Sequence, residues 1–384
     1  MLLRRVMSIE IREHTPGEDI DDFIRAGRVV FEGDPAWVAP LEFDLRARLT
    51  PAKNPFFQRG EVTLFTAWKD GRLVGRTSAQ IDHEHLRLHG DETGFFGFFD
   101  TIDDDEVGKA LIDAAAEWLQ RRGMKKMRGP LSLNMNEEVG VLIEGHEHPP
   151  VILMGHSRAW QDRVAGASGL EKAKDLFAWR FETGKIPKRA ERAWEKVQGL
   201  PEVKLRTVEP RKMDRELAII MEIFNDAWKE NWGWVPATEA EVKKTGEELR
   251  MILDRDLAFI AEVDHEPVAM CIALPNLNEV IRDFDGKLGP VQIGKMLWRL
   301  KVKRPKSARL MMLGIRSKLR GSKKYGGLSH ALYVEIARRG EAAGYRWGEL
   351  SWTLEDNAPV NLGIRSMGAK IYKKYRVYER GLSA

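Results

Sequence analysis

Hydrophobic and polar positions towards the end of the chain change their period repeatedly, and each change marks an element. Ala308-Arg-Leu-Met-Met-Leu-Gly-Ile315 is an almost unbroken apolar run and predicts a buried strand. From Ser329 to Ala343 the apolar residues Leu332, Ile336 and Ala337 recur at helical spacing. Gly348 to Glu355 alternates, which predicts a second strand, and Asp356-Asn357 after it is a turn signal and candidate helix cap. Pro359 to Met367 reads as a short helix stopped by Gly368, and Lys370 to Tyr378 as a closing strand.

The first half has the same grammar. Val62 to Gly75 reads as two strands around Asp70-Gly71, a hairpin turn, and Ala258 to Ala269 repeats that layout in the second half. Each half ends on a helix, a glycine and a charged closing strand. The expected fold class is therefore mixed α/β (α+β), two tandem units that are each a twisted mixed sheet flanked by helices. Lys185-Ile-Pro-Lys-Arg and Pro201 interrupt the periodicity, so the boundary is expected between residues 182 and 183. In the first half Thr93 to Phe99 predicts a buried strand with a close backbone approach at Gly97, and Val107 to Arg121 a helix. Between them lies Asp100-Thr-Ile-Asp-Asp-Asp-Glu106, whose carboxylates would repel a phosphate.

Composition narrows the classes. The 384 residues suffice for two or three domains, and a net charge of +4 does not call for a nucleic-acid partner. One cysteine, Cys271, excludes an intrachain disulfide, and its apolar surroundings make it a structural thiol. No apolar run approaches a membrane span, and Met1-Leu-Leu-Arg-Arg-Val-Met7 is too short for a signal peptide, so a cytoplasmic protein is expected. His83, His85, His146 and His148 lack partners at ligand spacing and are expected to be surface histidines, with no metal site.

Between the strand ending at Ile315 and the helix from Ser329 runs the loop Arg316-Ser-Lys-Leu-Arg-Gly-Ser-Lys-Lys-Tyr-Gly-Gly327. Backbone amides opening a helix, together with this many cations, suit a pyrophosphate. The ordered strand, phosphate loop, helix, strand, helix and strand resemble the acyl-CoA N-acyltransferase (GNAT) superfamily. Its loop motif is matched by Lys324-Tyr-Gly-Gly327-Leu-Ser329, with Lys and Ser at the ends instead of the usual residues. Phrases such as Gly94-Phe-Phe-Gly-Phe-Phe99, Asn231-Trp-Gly-Trp234 and Leu354-Glu-Asp-Asn357 resemble a bacterial group of double GNAT-like proteins that includes bacterial ceramide synthases.

That resemblance implies acyl-CoA as co-substrate and an amine acceptor, hydrophobic or sphingoid in type. It implies donor contacts at Leu313, Ile315, Arg316, Arg320, Lys324, Gly326, Gly327 and Ser329. Glu355, at the end of its strand, is the candidate base. The family's usual acid is a Tyr at a position held here by Ile364, so Tyr325, Tyr333, Tyr372 and Tyr375 are the candidate substitutes, Tyr325 and Tyr372 foremost. Asn225, Trp228, Asn231, Trp232 and Trp234 border the acceptor side, and Asn357 is either a substrate contact or a cap. The first half is expected to lack an acyl-CoA site. Two rival readings are a Fem-like aminoacyl-tRNA-dependent transferase and a degenerate, non-catalytic binding protein of the same fold.

A basic insert, 287–307, contains Val291 to Val302, with Ile293, Met296, Leu297 and Leu300 on one helical stripe. From Lys287 to Gly327 there are 13 Lys and Arg and no acid, so the helix is read either as a surface helix packed on the core or as one that covers a hydrophobic tunnel or makes peripheral contact with an anionic inner-membrane surface through 287–324, and no nucleic acid is expected.

Overall fold

A computed structural model describes residues 8–382, so the start read above for a signal peptide lies outside the described residues. The chain forms two compact units. The first holds residues up to 176, with 284–288 and 373–382; the second holds 177–283 and 289–372. The first unit thus takes two short segments from later in the sequence, and the second is interrupted only by the first of these.

In chain order the first unit contains β1 (Ile9–His14), α1 (Asp21–Val30), α2 (Glu42–Arg48), β2 (Gly60–Lys69), β3 (Arg72–Asp82), α3 (His83–His89), β4 (Thr93–Thr101), α4 (Asp105–Gln120), β5 (Lys126–Gly129), β6 (Val141–Glu144), α5 (Gln161–Ala167) and the start of β7 (Glu171–Glu182). Strands β1 to β4 form an antiparallel meander, β5 joins β4 in parallel, and residues 378–381 pair antiparallel with β5. Asp70 and Gly71 both have positive φ, 50° and 75°, as the two-residue hairpin turn requires. Leu111, Ile112, Ala115 and Leu119 of α4 are fully buried against the sheet, each large side chain contributing about 1.5–3 kcal/mol. At Gly97 a β-carbon would stand 1.9 Å from the Leu131 carbonyl oxygen, so the close approach expected there exists.

The second unit contains the end of β7, then α6 (Lys188–Gln198), β8 (Val203–Thr207), α7 (Met213–Trp228), α8 (Glu239–Ile252), β9 (Ala258–Val263), β10 (Glu266–Pro275), α9 (Leu277–Ile281), α10 (Pro290–Trp298), β11 (Ser307–Ile315), α11 (Leu328–Ala342), β12 (Trp347–Leu354), α12 (Ala358–Ser366) and the start of β13 (Lys370–Gly381). Its sheet order is β7-β12-β11-β10-β9-β8. The period-two rule sorts β10 cleanly. Met270 and Ile272 pack with Ile220 and Ile223 of α7, while Ala269 and Cys271 pack with Val197 of α6 and Leu328, Ala331 and Leu332 of α11. Cys271 is fully buried and its thiol is pushed up by that burial, so it serves as a small hydrophobe.

Contrary to the expectation from the sequence, one of the four histidines placed at the surface is buried. His85 is not a surface residue: its side chain is 2% exposed and bonded to Asp91 at 3.0 Å. Burial depresses its pKa to about 4.

Candidate active site

All of the residues singled out for chemistry lie in the second unit. Their frame is the divergence of two parallel strands. Strands β11 and β12 pair from Ser307↔Trp347 to Leu310↔Leu350 and no further. Beyond that point β11 stays paired to β10 on its other side, through Met312↔Ile272, Leu313↔Cys271, Gly314↔Met270 and Ile315↔Ala269. Peptide groups of 311–315 that point away from β10 therefore face the opening without a strand partner. The register steps from Ala273↔Leu310 to Ile272↔Met312, leaving Met311 as the extra residue of a bulge at the mouth of the divergence. Leu313 and Ile315 turn their side chains into the packing with α11, which leaves their backbone for any ligand.

From β11 the chain enters the cationic loop. Arg316 reaches Glu222 at 2.8 Å, Lys318 reaches Glu266 at 2.5 Å, and Lys324 reaches Glu202 at 2.6 Å. Arg320 donates to the carbonyls of Ala227, at 2.5 Å, and Ile315, at 3.3 Å. Ser317 donates its N–H to Asp226 at 2.5 Å, and chiefly this bond depresses the Asp226 pKa to about 2. The loop is thus folded before any ligand arrives; the Lys318–Glu266 pair is exposed and costs little to exchange, while Arg316 and Glu202 are half-buried. It ends at Gly327, which opens the 15-residue helix α11 with no side-chain cap and no acid in the first turn. The first amides of α11, Ser329 included, have no partner within the helix and carry its positive dipole end.

The corresponding helix of the first unit is closed. Asp104 caps α4 by accepting from the amides of Glu106 at 3.0 Å and Val107 at 3.3 Å. Asp105 and Glu106 fill its first turn. An anion there would meet carboxylates, whereas α11 begins with no side-chain cap and no acid.

The end of α7 borders the same loop. The Trp228 ring stacks on Phe224 at 4.8 Å and is seated on β11, where a β-carbon at Gly314 would lie 2.5 Å from it. Asn225 has a buried side-chain oxygen with no hydrogen-bond partner. The following turn, in which Asn231 donates to the Trp228 carbonyl and Trp234 to the Asn231 carbonyl, carries Trp232 and Trp234, both half-buried.

Glu355 follows β12 directly, at the divergent end. Asn357 caps α12 by accepting from the Val360 amide at 3.4 Å, which engages its side-chain oxygen. Tyr325 is turned to the base of the loop, where its hydroxyl donates to Glu202 at 3.3 Å. Tyr372 instead donates to Glu349, a fully buried carboxylate that also accepts from the Ser351 hydroxyl. Arg309 completes this cluster with Nε 3.0 Å from the Ser351 oxygen. Arg309 and Glu349 are register partners on the face opposite Leu310 and Leu350, so the cluster lies at the last paired rungs before the strands part.

Sequence reasoning missed Arg309, Glu349 and Ser351, and also Asn361. Asn361 donates to the Leu354 carbonyl at 2.9 Å and holds a buried side-chain oxygen without a hydrogen-bond partner beside the end of β12. The available signal was the alternation of Glu349 and Ser351 with Leu350. Among the described residues no group of three or more His, Cys, Asp or Glu could hold a metal ion, and no helix is long and apolar enough to cross a membrane.

The chain is 40% identical over 371 residues to the bacterial ceramide synthase of Caulobacter vibrioides (strain NA1000 / CB15N), covering 96% of this chain and 96% of that protein. It is 37% identical over 377 residues to the protein YghO of Escherichia coli (strain K12), covering 96% and 95%. No family model matches. A tandem GNAT protein from the clavulanic acid biosynthesis pathway superposes with a TM-score of 0.59 at 13% identity, covering 98% of this chain and 99% of that one. A GCN5-related N-acetyltransferase from Sphaerobacter thermophilus does so with a TM-score of 0.54 at 15% identity, covering 98% and 96%. At these identities the likeness to the two structures is one of fold, a tandem of two GNAT-like units.

Proposed function

The chain belongs to the family of tandem GNAT-fold proteins that includes the bacterial ceramide synthase of Caulobacter vibrioides, and from that premise we propose that it is an acyl-CoA-dependent N-acyltransferase. The acceptor is a hydrophobic amine of the sphingoid type, by analogy with what that relative's name states. The observation that carries the reading is the conjunction, in one unit, of parted strands and an open helix terminus behind a cationic loop.

In this reading the pyrophosphate of the donor lies on the amides of Gly326, Gly327 and Ser329, with Arg316, Arg320 and Lys324 exchanging protein carboxylates and carbonyls for phosphate oxygens. The thioester enters between β11 and β12, and free amides of 311–315 polarise its carbonyl. The neutral amine attacks the carbonyl carbon, forming the C–N bond, and the C–S bond breaks. Glu355 takes the proton that the new amide nitrogen sheds. Tyr372, held by Glu349, gives its proton to the departing thiolate; Glu355 then releases the amine's proton to solvent and Tyr372 regains one from solvent, which closes the cycle. Trp228 and the unpartnered oxygen of Asn225 border the acceptor, the oxygen suiting an N–H or O–H donor. The first unit, with its self-capped helix, takes no acyl-CoA.

The test is steady-state release of free thiol from acetyl-CoA and palmitoyl-CoA, with and without a sphingoid base. Release that requires the amine supports the reading. Absence of release, with no binding of either thioester, removes it.

A further inference from the structure

Between Val291 and Val302 the second unit carries a helical segment that is apolar on two opposite faces. Met296 and Leu300, each 6% exposed, turn inward. On the outer side Val291, Trp298 and Val302 are 78%, 53% and 68% exposed, and Leu297 is 45% exposed. Val291 and Trp298 stand nearly two helical turns apart, one above the other, and the π-turn Arg299–Lys303 carries Val302 on from them. Single exposed apolar side chains are ordinary on a protein surface. Here, however, 5 of the 10 large hydrophobic side chains exposed among the described residues fall in this one segment, and such a concentration marks a contact surface.

The segment is fastened on its inner side. Lys295 and Arg299 both pair with Asp283, and Arg299 donates to the Val280 carbonyl at 2.6 Å, so the helix is fastened to α9 and the segment after it. Lys301 and Lys303 are exposed beside the apolar stripe, followed by exposed Arg304 and Lys306. No acid occurs from 287 to 327. A second copy of the chain would bring like-charged rims together. An anionic phospholipid surface offers what both parts of the patch need: acyl boundary for Val, Leu and Trp side chains, and phosphates for the lysines.

From this geometry we infer that residues 291–303 form a docking surface for an anionic lipid bilayer, with the helix lying in the plane of the interface. Val291, Trp298 and Val302 enter the acyl boundary while Lys301 and Lys303 stay at the headgroups. The surface does not depend on the identity of the acceptor amine.

The experiment is co-sedimentation of the full chain with vesicles of phosphatidylcholine alone or mixed with phosphatidylglycerol. Binding to the mixed vesicles is expected, weakening as salt rises. Trp298→Glu and Val302→Glu should each weaken it roughly tenfold or more, and Lys301→Glu with Lys303→Glu should remove its dependence on phosphatidylglycerol. Because all four side chains are exposed, the melting temperature should stay within a few degrees of wild type, which separates lost docking from lost folding. Failure to sediment with the mixed vesicles, or equal sedimentation of Trp298→Glu, would overturn the inference. So would self-association in sedimentation velocity that Trp298→Glu abolishes, which would make a second copy the occupant.

Discussion

Replacing Gly327 with glutamate puts a carboxylate at the point where the donor phosphates are proposed to sit, with little disturbance of the fold. Gly327 has φ −89°, open to any residue, and a β-carbon there would find its nearest neighbours, in Ala193, at 3.6 Å. Gly327→Ala should therefore behave as wild type. In Gly327→Glu the new charge improves the empty protein slightly, since a carboxylate at a helix N-terminus contributes about 0.3–1 kcal/mol. Against a phosphate about 5 Å away the same charge costs about 1–3 kcal/mol, taking dielectrics between those of water and of a protein surface. That corresponds to a roughly fivefold to 150-fold rise in KM for acyl-CoA. The assay is thiol release across a range of palmitoyl-CoA concentrations, with thermal melting of the same samples. A melting temperature equal to or above wild type together with a raised KM is expected, and the effect should shrink with added salt. A KM within twofold of wild type, or an equal loss in Gly327→Ala, would refute the phosphate placement.

Gly314→Ala should destabilise the chain by about 1–3 kcal/mol in urea denaturation, because its methyl would meet the Trp228 ring at 2.5 Å. Adding Trp228→Leu should recover part of that loss, and strict additivity would show that the two residues do not press on each other. His85, with a folded pKa of about 4, holds a proton less readily folded than unfolded. Its contribution is thus complete above its unfolded value of about 6.5 and is lost as pH falls towards about 4. Chemical denaturation near pH 7.5 and pH 5 should show a larger loss in wild type than in His85→Gln, and equal losses would count against the buried neutral imidazole. Tyr372→Phe should lower kcat by about tenfold to a hundredfold, with little change in KM for the donor and a shifted alkaline limb of the pH–rate profile. A fall in melting temperature with an unchanged profile would leave Tyr372 a purely structural partner of Glu349.

From β11 onward the strands and helices could be read from the sequence to within a residue or two at most ends, as with Ser307–Ile315 and Leu328–Ala342, because glycines and polar pairs punctuate clear periods, whereas α6 falls where the periodicity reads as broken. The open terminus of α11 was equally visible, since it depends on local residue types: glycines before the helix and no acid in its first turn. The partners of the loop cations were not visible. Glu202, Glu222 and Glu266 are distant in sequence and meet Lys324, Arg316 and Lys318 only once the sheet has formed. Alternation in β12 places Glu349 opposite Leu350 but does not say that its face is buried, so a fully buried carboxylate looked like an ordinary polar rung. His85 escaped for the same reason. The absence of ligand partners at metal spacing suggests a surface residue, while the imidazole itself turns towards Phe95 at 4.9 Å.

The most direct measurement is mass spectrometry of the product formed from palmitoyl-CoA and a sphingoid base, with released thiol quantified in the same reaction. An N-acylated base appearing in step with the thiol is the expected result. Thiol accompanied by free fatty acid alone, or no conversion of a thioester that demonstrably binds, would contradict amide synthesis by this chain.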